Sequence, residues 1–167
     1  MADGDVSVTE SISFEDLSDL LARVLERHGT RPDIARIIGE NCAMCERDGS
    51  ASHGIFRIKG YLGSLTSGWV DGRATPRIED VAPAFCRVDA SNGFAQSALA
   101  QVRTLALDKA KTNGAAVIAI RNSHHLSALW PDVEPFAREG LITVQSRQIE
   151  MIDSKKLRSS YADRPPH

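Results

Sequence analysis

Apolar residues recur along this chain with helical spacing first and in short continuous runs later. Leu17, Leu20, Leu21, Val24 and Leu25 fall on one helical face, followed by Ile34, Ile37, Ile38, Cys42 and Cys45 on a second. Ser13 followed by Asp16 predicts a capping box with Asp in place of Glu, and Gly29 stops the first helix. Thr30 is the expected cap of the second helix, with Pro32 inside its first turn. Two helices joined by so short a turn form a helical hairpin that buries one face of each. Ile55, Ile58, Leu62 and Leu65 resume a helical face until Gly68.

The punctuation then changes. Gly72, Pro76 and Pro83 mark residues 69–83 as a loop with short extended pieces. Residues 84–89 read as an edge strand, and Ala90-Ser91-Asn92-Gly93 as a turn. A small-residue helix over Phe94–Thr112 carries Ala98, Val102, Leu105, Ala106 and Ala110, and Asn113-Gly114 ends it. The stretch Ala115–Gln145 holds an apolar run (115–120), a polar corner (Arg121-Asn122-Ser123-His124-His125), a helix over Leu126–Glu139 and a second apolar run, Leu141–Val144. Pro131 and Pro135 predict a short first turn, a step, and a new helix begun at Pro131 or Asp132. The pattern predicts a β-α-β unit, with the polar corner just past the carboxyl end of a strand, where α/β folds bind ligands.

Composition narrows the function classes. The chain has 167 residues, enough for one domain with a core; 42% are hydrophobic and 25% charged. Lys and Arg number 20 against 22 Asp and Glu, so no basic excess supplies phosphate contacts to a nucleic acid. At 5% aromatic, stacking platforms for single strands are not expected either. The polar, acidic start lacks a signal-peptide pattern and no apolar run is long enough to span a membrane, which predicts a soluble cytoplasmic protein. Cys42, Cys45 and Cys86 are expected as small buried apolar residues, and no metal site is predicted, since no second Cys/His pair stands at zinc-ligand spacing.

Two polar clusters carry candidate chemistry. Glu46–Gly54 is charged and hydroxyl-rich and ends in Ser52-His53. Either it is a corner with Ser as cap and His in solvent, or His53 is a proton-transfer group, since imidazole changes charge near neutral pH. In the second cluster one of His124 and His125 can face a cleft, while the N–H groups of Leu126–Leu129 can point at an anion. Neither the G-x-G-x-x-G fingerprint after a strand nor a P-loop occurs, which counts against an ordinary doubly wound cofactor domain.

Asp48-Gly49-Ser50-Ala51-Ser52-His53-Gly54-Ile55-Phe56-Arg57, with Tyr61, resembles the D-x-x-x-SHG-x-x-R signature of the malate/L-lactate dehydrogenase family, whose fold is not the Rossmann one. Gly93-Phe94-Ala95-Gln96 and the run from Asn113 through His125 are similar to that family as well. His125-Leu126-Ser127-Ala128-Leu129-Trp130-Pro131-Asp132-Val133-Glu134 resembles the branch that reduces Δ1-piperideine-2-carboxylate and Δ1-pyrroline-2-carboxylate. The resemblance implies an α/β fold: an N-terminal helical hairpin plus a partial mixed sheet belonging to a non-Rossmann cofactor domain. It implies a homodimeric oxidoreductase that transfers a hydride from NADPH or NADH to a cyclic imino acid, or to a 2-keto acid such as pyruvate or oxaloacetate. Ser52 and His53 would belong to a proton relay, with Arg57 or Tyr61 beside the small substrate's carboxylate. His125, Leu126, Ser127, Ala128 and Leu129 would match the cofactor-contacting segment.

The resemblance ends near Val144. Family members continue through a glycine-rich stretch and a G-T-N-P motif that this chain does not show, and the third relay member, an aspartate, lies in that later part. The expectation is a chain truncated relative to the family, in four parts: a flexible tail (1–12), a helical region with the Ser-His motif (13–68), a partial cofactor domain (69–144) and an unmatched tail (145–167), disordered or a short helix. Two further functions stand beside the oxidoreductase. One is a non-catalytic remnant or binding protein that docks on a full-length relative. The other, an unrelated hydrolase, is poorly supported, because adjacent Ser and His do not readily make a nucleophile–base pair and no acid orients the His.

Overall fold

A computed structural model describes residues 11–146 of the chain. Helix α1 (Phe14–Arg27) starts on Ser13, whose Oγ accepts from the Asp16 N–H at 3.0 Å and donates to the Asp16 carboxylate at 2.8 Å. Gly29, at φ +91°, ends the helix as its sequence position predicts. Helix α2 (Pro32–Arg47) follows, capped by Arg31 and not by Thr30. The Arg31 N–H donates to the Gly72 carbonyl, and Thr30 turns inward under Gly72, so the 69–74 loop claims the turn that local chemistry had assigned to capping.

The helices pack through Leu17, Leu21, Ala22 and Leu25 on one side and Ile34, Ala35, Ile38, Cys42 and Ala43 on the other. Leu20, expected in this stripe, is 42% exposed, and Ser18 takes the inward place. Gly39 lets the backbones approach: a Cβ there would lie 2.8 Å from the Ser18 carbonyl oxygen and 3.0 Å from the Ala22 nitrogen. A single 3-10 turn, Ala51–His53, leads into α3 (Ile55–Thr66), which adds Ile58 and Tyr61 to the same core.

Strands β1 (Arg77–Ala82), β2 (Phe85–Phe94) and β3 (Val117–His124) form a mixed three-stranded sheet in the order β1-β2-β3. β1 is antiparallel to β2, and β2 is parallel to β3. Helix α4 (Ala95–Asn113) makes the crossover, and its Ala98 and Val102 cover Cys86, Val88 and Ala90 of β2. Lys109, on α4, pairs with Asp80 at 2.5 Å and donates to the Ala82 carbonyl at 2.8 Å, tying the helix to the β1–β2 corner.

Four expectations are corrected here. The β-α-β unit is β2-α4-β3 and not residues 115–144, and β2 is the central strand and not an edge. The tetrapeptide 90–93 is a bulge within β2 and not a turn that ends it. Leu141–Val144 forms no strand, with Ile142 fully exposed and Val144 91% exposed. An apolar run becomes a strand only where a neighbour accepts its backbone hydrogen bonds. The last helix among the described residues, α5 (Trp130–Ala137), begins one residue before the Pro131 or Asp132 start expected, leaving residues 125–129 as a loop. Met1–Glu10 and the tail beyond Ser146 lie outside the described residues, as do the states expected for them.

Candidate functional site

The Ser52–His53 pair sits on the short turn between α2 and α3. Ser50 N–H donates to the Cys45 carbonyl at 2.7 Å, closing α2, and His53 N–H donates to Ser50 at 2.8 Å. Within the turn, Ser52 Oγ lies 2.9 Å from His53 Nδ1. That contact fixes the ring and leaves Nε2 as the nitrogen through which a proton can pass. Ser52 is exposed and His53 half-buried, so the pair is open to a small molecule.

Glu46 builds the turn from below. Its carboxylate accepts the Ile55 N–H at 2.7 Å and so caps the start of α3, an interaction that no local sequence signal announces. It also explains the glycine of the Ser-His-Gly triplet, because a Cβ on Gly54 would collide with the Glu46 side chain. Arg57 follows one turn on, half-buried, with its guanidinium 5.9 Å from the ring centroid of the exposed Phe56.

Tyr61 is different in kind. It is fully buried, and its hydroxyl accepts from Gln96 Nε2 at 3.0 Å. Burial pushes its ionisation well above the ordinary phenol range, chiefly by desolvation. Its ring meets Phe94 edge-on at 5.5 Å and His124 at 6.2 Å. Tyr61 is therefore the hub on which α3, the end of β2 and the end of β3 converge.

The 125–129 loop docks inward. His125 Nε2 lies 2.7 Å from Asp132 Oδ2, both side chains 5% exposed, and Gln145 donates to the same oxygen at 3.1 Å. Ser127 donates to Asn41 on α2 and lies 3.7 Å from Cys45 Sγ. Leu126 packs on the helical core, while Ala128 and Leu129 are half-buried. The Ser52–His53 turn and this loop are thus joined through α2 and α3, by way of Cys45, Asn41 and Tyr61.

Because α5 starts at Trp130, the amides of 126–129 are not a helix N-terminus. Asp132 also places a carboxylate in the first turn of α5, which opposes a phosphate there. Leu126, Ala128 and Leu129 are the apolar side chains of this loop. Asn41, Glu46, Gln96 and Asp132 are the residues that sequence reasoning missed.

The three cysteines are free and buried, as expected, and desolvation with Cys45 and Glu46 nearby pushes the Cys42 thiol up to about 12. Among the described residues no group of three or more His, Cys, Asp or Glu could hold a metal ion, and no helix is long and apolar enough to cross a membrane.

A helical hairpin set against a mixed three-stranded sheet, without a glycine-rich phosphate loop, defines an α/β scaffold outside the Rossmann class. The chain belongs to the malate/L-lactate dehydrogenase family, whose sequence profile matches residues 12–150, somewhat beyond the expected limit at Val144. It is 60% identical over 136 residues to the Δ1-pyrroline-2-carboxylate/Δ1-piperideine-2-carboxylate reductase of Pseudomonas syringae pv. tomato, covering 81% of this chain and 40% of that protein. To the reductase of the same name from Pseudomonas putida it is 51% identical over 144 residues, covering 86% of this chain and 42% of the other. The crystal structure of the P. syringae pv. tomato Δ1-piperideine-2-carboxylate reductase superposes with a TM-score of 0.78 at 61% identity, over 79% of this chain and 40% of that one. The chain therefore spans about 40% of the length of these relatives.

Proposed function

We propose that this chain carries the proton-delivery turn and the cofactor edge of an NADPH- or NADH-dependent reductase acting on a cyclic imino acid, with 2-keto acids as the related substrate class. The observation that supports it best is the 2.9 Å Ser52–His53 contact on an open turn, in a chain 60% identical over 136 residues to a Δ1-pyrroline-2-carboxylate/Δ1-piperideine-2-carboxylate reductase. Reducing a cyclic imine adds a hydride to its carbon and a proton to its nitrogen. A reduced nicotinamide, when bound, would supply the hydride, with Leu126, Ala128 and Leu129 as the apolar side chains that would hold it.

The chain's own residues handle the proton and the carboxylate. His53 delivers the proton, and Ser52 holds the ring in place. Arg57, one turn along α3 and half-buried, is the carboxylate partner, because its buried Nε has no hydrogen-bond partner among the described residues. Tyr61 acts from within, through its ring contact with His124, and His125 and Ser127 hold the cofactor loop to α5 and α2. The assembly proposed is a cytoplasmic homodimer, for which the exposed Ile55 and Phe56 beside the site provide apolar surface.

NADPH and NADH titrations by nicotinamide fluorescence, followed by turnover of Δ1-piperideine-2-carboxylate, Δ1-pyrroline-2-carboxylate, pyruvate and oxaloacetate, test the proposal. Cofactor oxidation is expected, falling by roughly two to four orders of magnitude in His53→Ala. Absence of both binding and turnover refutes it.

The exposed Ile142 and Val144 favour one second function, a non-catalytic protein that docks on a full-length relative. Co-elution with such a relative, together with absent turnover, identifies that case.

A further inference from the structure

We infer that Asp89 is the positioning residue that decides where residues 124–127 stand, by latching β2 and β3 at the point where both leave regular strand geometry. Three non-glycine residues have positive φ among the described ones: Ser91 at 53°, Asn92 at 62° and Asn122 at 51°. L-residues are disfavoured there, and such strain persists only where the surroundings enforce it. Two of the three, Ser91 and Asn122, bond directly to one carboxylate, and Asn92 follows Ser91.

Asp89 is 8% exposed. Its Oδ1 accepts the Ser91 N–H at 2.9 Å, and Asn122 Nδ2 lies 3.1 Å from each carboxylate oxygen. Arg121 approaches Oδ2 at 3.2 Å, and Arg77 is the register partner of Asp89 on β1. Asn92 is pinned separately: its carbonyl accepts from Asp71 N–H at 2.9 Å, and its side chain donates to the Trp69 carbonyl at 3.0 Å.

The latch changes the register. Asp89 pairs with Arg121, but the next pairs are Gly93 with Ser123 and Phe94 with His124. β2 thus passes Ala90, Ser91 and Asn92 while β3 passes only Asn122. Two extra residues preserve the alternation of faces, so every side chain beyond the bulge keeps its side. What changes is the partner: in an unbroken ladder His124 would stand opposite Asn92, whereas here it stands opposite Phe94. Only that pairing puts the Phe94 and His124 rings together against Tyr61, 6.0 Å from each other. Gly93 is needed for the close return, since a Cβ there would lie 2.7 Å from the Ala74 Cβ.

The functional consequence rests on the proposal that 125–129 is the cofactor edge, but the latch itself is testable without any ligand. Amide resonances of the whole chain are compared by NMR in Asp89→Ala, Asn122→Gly and, as a control, Cys86→Ala. Asn122→Gly accepts a φ of 51° at no cost yet deletes both side-chain bonds, so it carries the test if Asp89→Ala fails to fold. Both latch variants are expected to shift the His124–Ser127 amides and the Tyr61 ring signals. Cys86→Ala loosens the same sheet under α4 and leaves those signals in place. Wild-type positions for His124–Ser127 in Asn122→Gly overturn the inference, as does an equal shift in Cys86→Ala. In the NADPH titration, a segment docked a tenth of the time binds about tenfold more weakly. If the wild-type chain binds no NADPH, the cofactor assignment fails while the resonances still decide the latch.

Discussion

Removing the Tyr61 hydroxyl isolates what ties α3 to the start of α4. Tyr61→Phe keeps the ring and its edge-on contact with Phe94, 5.5 Å between centroids, and deletes one oxygen. That oxygen is the acceptor for Gln96 Nε2 at 3.0 Å. Gln96 is 3% exposed and Tyr61 fully buried, so water does not readily replace the acceptor. A buried donor left unpaired costs about 1–3 kcal/mol, and about 1–2 kcal/mol is expected here because the hydroxyl itself no longer has to be desolvated. Urea unfolding reads this directly: with a slope of about 1–3 kcal/mol per molar, the midpoint falls by roughly 1 M. Tyr61→Phe combined with Gln96→Leu removes the stranded donor and is expected to recover about 1 kcal/mol. A single variant costing under about 0.5 kcal/mol, or a double variant whose cost is the sum of the two singles, refutes the reasoning.

Two further predictions concern glycine and acid. Gly39→Ala sets a methyl against the α1 backbone and should cost about 1–3 kcal/mol, whereas Gly63→Ala, in α3 with nothing within 4 Å, should gain roughly 0.5–1 kcal/mol; thermal midpoints of the two variants moving the same way would refute the packing argument. Asp89 is held below the usual carboxylate range by the Ser91 N–H, then the Asn122 side chain, then Arg121 and Arg77, against a smaller desolvation effect. A lowered folded value means that its contribution is complete above the unfolded value, about 3.9, and is lost as pH falls through the folded one. Asp89→Asn should therefore be less stable than wild type at pH 6, with the difference narrowing below about pH 4; parallel urea midpoints across that range would refute it.

What the sequence made legible was local. Ser13 caps α1, Gly29 and Gly114 stop their helices, and Pro131 marks the start of α5, because each acts within one turn of chain. Ala90-Ser91-Asn92-Gly93 has turn chemistry, and its Ser91 and Asn92 do adopt left-handed conformations, but a carboxylate on the same strand and an asparagine 33 residues from it in sequence turn the stretch into a bulge. Leu141–Val144 has the composition of a strand and lacks the neighbour that would make it one. The Ser52–His53 pair was visible as a motif; its support was not. Glu46 reaches Ile55 from nine residues away, Gln96 reaches Tyr61 from 35, and Asn41 meets Ser127 across 86. Separations of that size leave no periodicity to read.

The docking of Ser127 on Asn41 also sets an order of assembly. The α1–α2 hairpin closes through contacts between neighbours in sequence, whereas the loop must find Asn41 across 86 residues. Loop-closure entropy makes the distant contact late, and a closure held by a few side chains is the first to reopen. The expected signature is early hydrogen-exchange protection in α2 and late protection at Leu126 and Ser127. The face proposed to receive the cofactor is then also the segment that opens at least cost, so a molecule that seats there stabilises the last-formed part of the chain.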